Sequence, residues 1–188
     1  EEQDSFALES YRRSIEAINN GSFRDEIVAV EISQRKGDQV TVDIDEEPGR
    51  GKLDKIGKLL PVFGKQGTIT AANASSINDG AAALTVISTE KADQLGIQSI
   101  CRIITHSSVA HEPLYFTTAP GKAITKVLIK SGLSIEDIDI FEINEAFSNV
   151  TLAAMREHSI PHEKVNIHGG AVSLGHPIGA SGARILVT

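Results

Sequence analysis

A histidine pinned between a glycine and a proline is the most chemically suggestive feature of this 188-residue chain. It is His176, in Gly175-His176-Pro177-Ile178-Gly179-Ala180-Ser181-Gly182. Pro177 restricts the preceding residue to extended backbone and is itself comfortable in a first helical turn. The spacing therefore predicts His176 just ahead of a helix N-terminus. The positive end of a helix disfavours imidazolium, which keeps the ring neutral, as a general base requires. The small residues around it leave room for a substrate. The competing reading is a histidine that caps or packs. The run from Gly170 to Gly175 superficially suggests a phosphate loop, but His176-Pro177 stands where Lys and Ser/Thr are needed. The glycine spacing fails for a dinucleotide fingerprint, and Ser181 lacks the Gly-x-Ser-x-Gly frame of a hydrolase nucleophile.

A second constellation is Glu142-Ile143-Asn144-Glu145-Ala146-Phe147. It follows an expected strand, Ile138 to Ile143, at the end where open α/β sheets bind ligands. Asn144 could donate its amide to a substrate oxygen or orient a water. It could equally cap the helix expected to start at Asn144-Glu145 and run to about His158. His158 and His162 are four apart, but Pro161 breaks any helix that would align them, so no metal site is expected. Cys101 falls inside an apolar run and reads as a small buried hydrophobe.

The elements that must position these groups follow from periodicity. Phe6, Leu8, Tyr11, Ile15 and Ile18 predict an amphipathic helix to Asn20, stopped by Gly21. Strands are expected at Glu26–Ile32, Gln39–Ile44, Ala81–Ile87, Ile100–Thr105 and Val165–Ile167. Helices are expected at Thr89–Leu95, with Thr89 as N-cap, and at Gly121–Ser131. The last apolar run follows a Gly-rich turn from Gly169 to Gly182. This alternation predicts an α/β layered sheet with crossovers. Between Arg50 and Lys65 basic residues outnumber Asp54. That is either a solvated face or a small anion-steering patch for a phosphorylated ligand.

Composition narrows the class. Hydrophobic residues make up 40% and charged residues 23%, values that exclude a disordered chain. The net charge of -7 argues against a nucleic-acid partner. No window approaches a membrane span. The single cysteine excludes an intrachain disulfide framework.

Three motifs in order resemble the thiolase (acetyl-CoA C-acyltransferase) family, in its central and C-terminal portion. They are Gly67 to Ala83 with Asn73-Ala74-Ser75-Ser76, then Asn144-Glu145-Ala146-Phe147, then Val165 to Ala171 with Gly175 to Leu186. The resemblance implies a layered αβαβα architecture. Residues 1–76 would be the second part of a CoA-binding loop domain. Residues 77–99 would end the N-terminal core domain, and 100–188 would form most of the C-terminal core domain. It also implies thiolysis of 3-ketoacyl-CoA, or condensation of acetyl-CoA, through a cysteine acyl-enzyme. His176 matches the histidine base, and Asn144 the asparagine that holds a water in the oxyanion hole. Ser75 and Ala74 match positions contacting the pantetheine. Phe63, Phe147 and Ala146 match the pantetheine and acyl tunnel, and Phe116 the acyl pocket. Arg50 falls where a nucleotide phosphate is met.

Ser76 and Ala72 replace family glycines. Both family cysteines would lie outside these residues, because Cys101 fits neither motif, so the fragment is expected to be inactive. No cofactor is implied beyond CoA as substrate. The expected partners are acyl-CoA and CoA, in a homodimer or homotetramer of the full-length chain. The implied location is the cytoplasm or a mitochondrial or peroxisomal matrix, with any targeting region outside the sequence. The alternative is a non-catalytic thiolase-like module that binds acyl-CoA or lipid. A decarboxylating condensing enzyme of related fold would use a different histidine pattern.

Overall fold

The computed structural model describes residues 1–188. Helix α1 spans Glu2–Asn20 and closes on Gly21 in the left-handed conformation (φ 80°), as the stop signal requires. Its buried face is Phe6, Ala7, Ser10, Tyr11, Ser14 and Ala17, whereas Leu8 is exposed. Of the expected apolar stripe, Phe6 and Tyr11 are buried and Ile18 packs against the Ala17, Phe23 and Leu174 cluster, while Leu8 lies outside it. Small residues and serines face inward because α1 packs closely against the C-terminal segments near Ser173.

Strands β1 (Val30–Ile32) and β2 (Val40–Val42) form an antiparallel hairpin with Val30 opposite Val42. Both are shorter than the sequence pattern predicts. Two short helical segments follow, α2 (Glu47–Arg50) and a 3-10 turn at Leu53–Lys58. Helix α3 is Thr89–Leu95. Its N-cap is Ser88, whose hydroxyl accepts from the Lys91 N–H, not Thr89 as expected. A 3-10 turn at Pro113–Thr118 leads into α4 (Ala119–Ser131), which stops at Gly132. Helix α5 is Ser148–His158, α6 is Ala171–Leu174 and α7 is Ser181–Val187.

The strands expected at Ala81–Ile87 and Ile100–Thr105 are absent as strands. A strand exists only through a hydrogen-bonded neighbour, and neither segment has one in this chain. Their apolar side chains Leu84, Val86, Ile100, Ile103 and Ile104 are exposed. Cys101 is exposed for the same reason, which corrects its reading as a buried hydrophobe. The strands expected at Ile138–Ile143 and Val165–Ile167 reduce to one parallel bridge, Phe141 to Val165.

The helix expected from Asn144 starts only at Ser148. The backbone before it is held extended from outside. The Asn166 side chain takes both the N–H and the C=O of Ile143, each at 2.8 Å. Phe147 pairs with Ala74 in an antiparallel bridge. Those bonds remove the groups that a helical turn would use.

Three apolar clusters surround this region. Ala7, Tyr11, Ile56, Ala72 and Val172 join α1 to α6. Phe141, Ile143, Ala154, Ile160 and Val165 pack beneath the 142–147 loop. Ala17, Phe23 and Leu174 close the third. No helix is long and apolar enough to cross a membrane.

Candidate active site

Three segments converge. The 73–76 stretch runs beside 146–148: Ser75 donates its N–H and its hydroxyl to the Ala146 carbonyl at 3.1 and 2.9 Å, and Ser148 N–H donates to Asn73 O at 2.9 Å. The Asn73 side chain fastens this stretch to α1. Its amide donates to Asp4 Oδ1 and Thr68 O, and its oxygen accepts from Thr70 N–H. The third segment is the corner after α6, where His176 N–H donates to Ser76 O at 3.0 Å.

These bonds bring His176 and Asn144 together from positions 32 residues apart, with Asn144 Nδ2 at 3.3 Å from His176 Nε2. His176 Nδ1 lies 2.6 Å from Ser181 Oγ, and that hydroxyl donates its own proton to Pro177 O at 3.1 Å. A hydroxyl has one proton. The Ser181 oxygen therefore accepts from Nδ1–H, which leaves Nε2 with its lone pair toward Asn144. Burial, and next the positive charge of Arg184, lower the His176 pKa from its ordinary value. The ring is thus held neutral. The helix expected directly after His176 begins five residues later, at Ser181, and the ring meets that first helical residue through Ser181 Oγ. Asn144 Oδ1 is buried without a hydrogen-bond partner.

Phe147 is the centre of an aromatic group. Phe63 and Phe116 meet it edge-on, with ring centroids at 6.3 and 6.2 Å. Such edge-to-face pairs are a favourable aromatic geometry. Phe63 and Phe116 remain substantially exposed, at 73% and 49%, so the group has open apolar surface beside Ser75 and Ala146. Ala74, Ser75, Ala146, Phe147, Phe63, Phe116, Asn144 and His176 therefore form one linked constellation.

Arg50 does not join it. Its guanidinium pairs with Glu46 and Glu47 on α2, at 2.7 and 3.6 Å. Glu47 in turn sits 3.5 Å from the Asn78 amide, whose oxygen accepts from His176 N–H. A surface concavity of about 580 Å³ beside α1, lined by Arg12, Ile15, Glu16, Asn19, Asn20 and Leu53, shares no residue with the constellation. His158 reaches Gly121 O, and His162 stacks on Phe6. The two do not share a ligand position.

The sequence reading missed Ser181, Glu145, Asn166 and Ser10. Ser181 was tested only as a nucleophile, although a hydroxyl five residues after a histidine, across a proline turn, is a signal for ring orientation. Glu145 is fully buried. It accepts from Ser10 Oγ at 2.7 Å, Asn166 Nδ2 at 2.8 Å and Val172 N–H at 3.1 Å. Its bonds to Ser10 and Asn166 span 135 and 21 residues, which no local pattern discloses.

Comparison with known proteins shows the family. The thiolase N-terminal domain family matches residues 1–90, and the thiolase C-terminal domain family matches residues 89–188. An acetyl-CoA acetyltransferase of Yarrowia lipolytica is 54% identical over the whole chain, which covers 47% of that relative. One of Pseudomonas aeruginosa is 46% identical, again over the whole chain and 48% of the relative. The chain thus spans about half the length of the curated relatives it matches. Among solved structures, the acetyl-CoA acetyltransferase of Bacillus anthracis superposes with a TM-score of 0.95 at 43% identity, over 99% of this chain and 47% of that one. A thiolase of Ascaris suum solved in complex with coenzyme A gives 0.90 at 41% identity, over 99% of this chain and 47% of that one. These likenesses show the α/β thiolase-like fold. With both family domains matched and the site motifs assembled, the chain belongs to the thiolase family.

Proposed function

We propose that this chain supplies the histidine and asparagine of an acyl-CoA C-acyltransferase, acting in thiolysis of 3-ketoacyl-CoA or in condensation of acetyl-CoA. The observation that carries the reading is the contact chain through His176, with Nδ1 2.6 Å from Ser181 Oγ and Nε2 3.3 Å from Asn144 Nδ2. With Nδ1–H on Ser181, Nε2 is the basic nitrogen of the ring and faces the Asn144 amide. A neutral imidazole in that state can take the proton of a thiol, which becomes the nucleophile that forms the acyl-enzyme. The thiol comes from outside these residues, since Cys101 sits on the exposed 100–105 stretch and makes no hydrogen bond to His176. Asn144, beside Nε2, suits a donor that holds a water or an oxygen where charge develops in the transition state. The Phe63, Phe116 and Phe147 group offers apolar surface for the pantetheine arm and acyl chain, and Ser75 a polar contact along it. No organic cofactor is needed beyond CoA as substrate.

The proposed assembly is a homodimer or homotetramer of the full-length chain. The proposed compartment is the cytoplasm or an organellar matrix. The test is thiolysis of acetoacetyl-CoA by the 188-residue chain, by the product of its full reading frame, and by that product carrying His176→Ala. The expected result is turnover only by the unsubstituted full product, with the substitution lowering kcat by ~10³-fold or more. Turnover by the 188 residues alone would overturn the external-thiol claim. Acyl-CoA binding without turnover by the full product would instead favour a non-catalytic binding module.

A further inference from the structure

The two residues of the proposed site lie on separate segments, and one buried side chain bonds to both neighbourhoods. Glu145 follows Asn144 directly, and its side chain is fully enclosed. Its Oε1 accepts from Asn166 Nδ2, and that same amide group grips Ile143 on both its N–H and its C=O. This braces the residue just before Asn144. Its Oε2 accepts from Val172 N–H in α6, the short helix that ends at Gly175 beside His176, and from Ser10 Oγ on α1. Ser10 Oγ also accepts from Gly170 N–H at 3.1 Å, at the start of α6. Gly170 itself has no room for a side chain: a Cβ there would collide with the Glu145 carboxyl group.

We propose that Glu145 is a positioning residue of the site: its carboxylate ties the loop bearing Asn144 to the corner bearing His176 and sets their 3.3 Å contact. The proposal rests on the thiolase reading for its kinetic consequence only. A fully enclosed carboxyl with three donors is an expensive way to fill space, because an apolar residue of similar volume is often neutral or better for stability. Three donors from three segments are, however, an effective way to fix a geometry. From the opposite side, the 73–78 stretch bridges the same two segments through Ser75–Ala146 and Ser76–His176. The Asn144–His176 pair is therefore gripped from both flanks, and Glu145 is the inner grip.

Glu145→Gln keeps the shape but opposes two donors. If the new oxygen faces Ser10 and Val172, the new NH2 faces Asn166 Nδ2. Asn166 cannot turn over without losing Ile143. The experiment uses the product of the full reading frame, with kcat and KM for acetoacetyl-CoA measured for Glu145→Gln, Asn144→Ala and the double variant. Nitrogen-15 NMR of the His176 ring is recorded on wild type and Glu145→Gln. A misplaced catalytic pair lowers kcat by ~10²-fold, with KM within about threefold. In the Asn144→Ala background the same substitution should cost at most about threefold more, because the geometry it protects is already lost. The Nε2 resonance should move toward that of a ring without its amide neighbour. An unchanged kcat, a fully additive double variant or an unmoved Nε2 resonance would each overturn the proposal. Ser10→Ala removes one donor and leaves the carboxylate in place. It should give the same pattern at smaller amplitude, and it decides the question if Glu145→Gln does not fold. If the wild-type protein shows no thiolysis, the functional reading fails, and the NMR comparison alone decides the positioning claim.

Discussion

Removing the Ser181 hydroxyl should damage catalysis without damaging substrate binding. The wild-type ring donates Nδ1–H to Ser181 Oγ at 2.6 Å, and that oxygen is locked as an acceptor by its own bond to Pro177 O. In Ser181→Ala the ring loses the partner that selects its tautomer. A neutral hydrogen bond of this kind is worth about 1 kcal/mol net, a ~5-fold change in an equilibrium. When Nε2 has taken a proton, the same Nδ1–H bond is charge-assisted and worth about 1.5–3 kcal/mol, or ~10- to ~150-fold. Because the resting enzyme loses the smaller bond too, the step that needs imidazolium should slow by the difference, about 0.5–2 kcal/mol or ~2- to ~30-fold. The assay is acetoacetyl-CoA thiolysis by the full reading-frame product, following kcat and KM across pH. The expected result is a ~2- to ~30-fold fall in kcat with KM nearly unchanged. The acid limb should move further below the ordinary histidine value, because the imidazolium has lost an acceptor. An unchanged kcat, or a loss confined to KM, would refute the tautomer argument.

Other outcomes are equally specific. Glu142 is pushed up to about 7, first by burial and then by the charges of Glu145 and Glu26, against the opposing pull of Arg184. A carboxyl that holds its proton more tightly when folded destabilises the fold as pH rises from its ordinary 4.5 through about 7, by about 3 kcal/mol in all. Thermal unfolding of Glu142→Gln should lose that downward slope and exceed wild type in Tm at alkaline pH; parallel profiles would refute the linkage. Gly170→Ala forces a methyl into the Glu145 carboxyl. That overpacking should cost about 1–3 kcal/mol, or a fall of about 2–10 °C in Tm by calorimetry. Asn144→Ala should lower kcat by ~10²- to 10³-fold, the usual loss of one donor at a developing charge, read in the same thiolysis assay.

The histidine and asparagine were legible because short-range chemistry announces them. A proline fixes the backbone of His176, and Asn144 sits at the end of an extended run. Helix stops were legible for the same reason: Gly21 and Gly132 adopt the left-handed conformation that their positions demand. What was not legible depends on partners far along the chain. The segments 81–87 and 100–105 have strand composition, yet a strand is defined by its neighbour, and composition does not supply one. The 144–147 stretch looks helical until Asn166 claims the backbone of Ile143. The basic window opens at Arg50, and the acids that pair with it, Glu46 and Glu47, lie just upstream. Leu8 was assigned inward by hydrophobicity, but close helix contact selected Ser10 and Ser14 instead.

The bonds from α1 to the C-terminal segments carry a consequence for how the protein is made. Arg13 donates one Nη1 to the carbonyls of His162, Val165 and Asn166, and Ser10 reaches Glu145 and Ser173. These contacts close loops of 135 to 163 residues. Long-range closures of this kind slow folding, because chain entropy is lost before the contacts repay it. During synthesis α1 emerges well before the segments it bonds to, and its serine-lined face waits unpartnered until they too have left the ribosome. Assembly of the site is therefore a late folding event, and substitutions on α1 should retard its maturation even when they lie outside any catalytic loop.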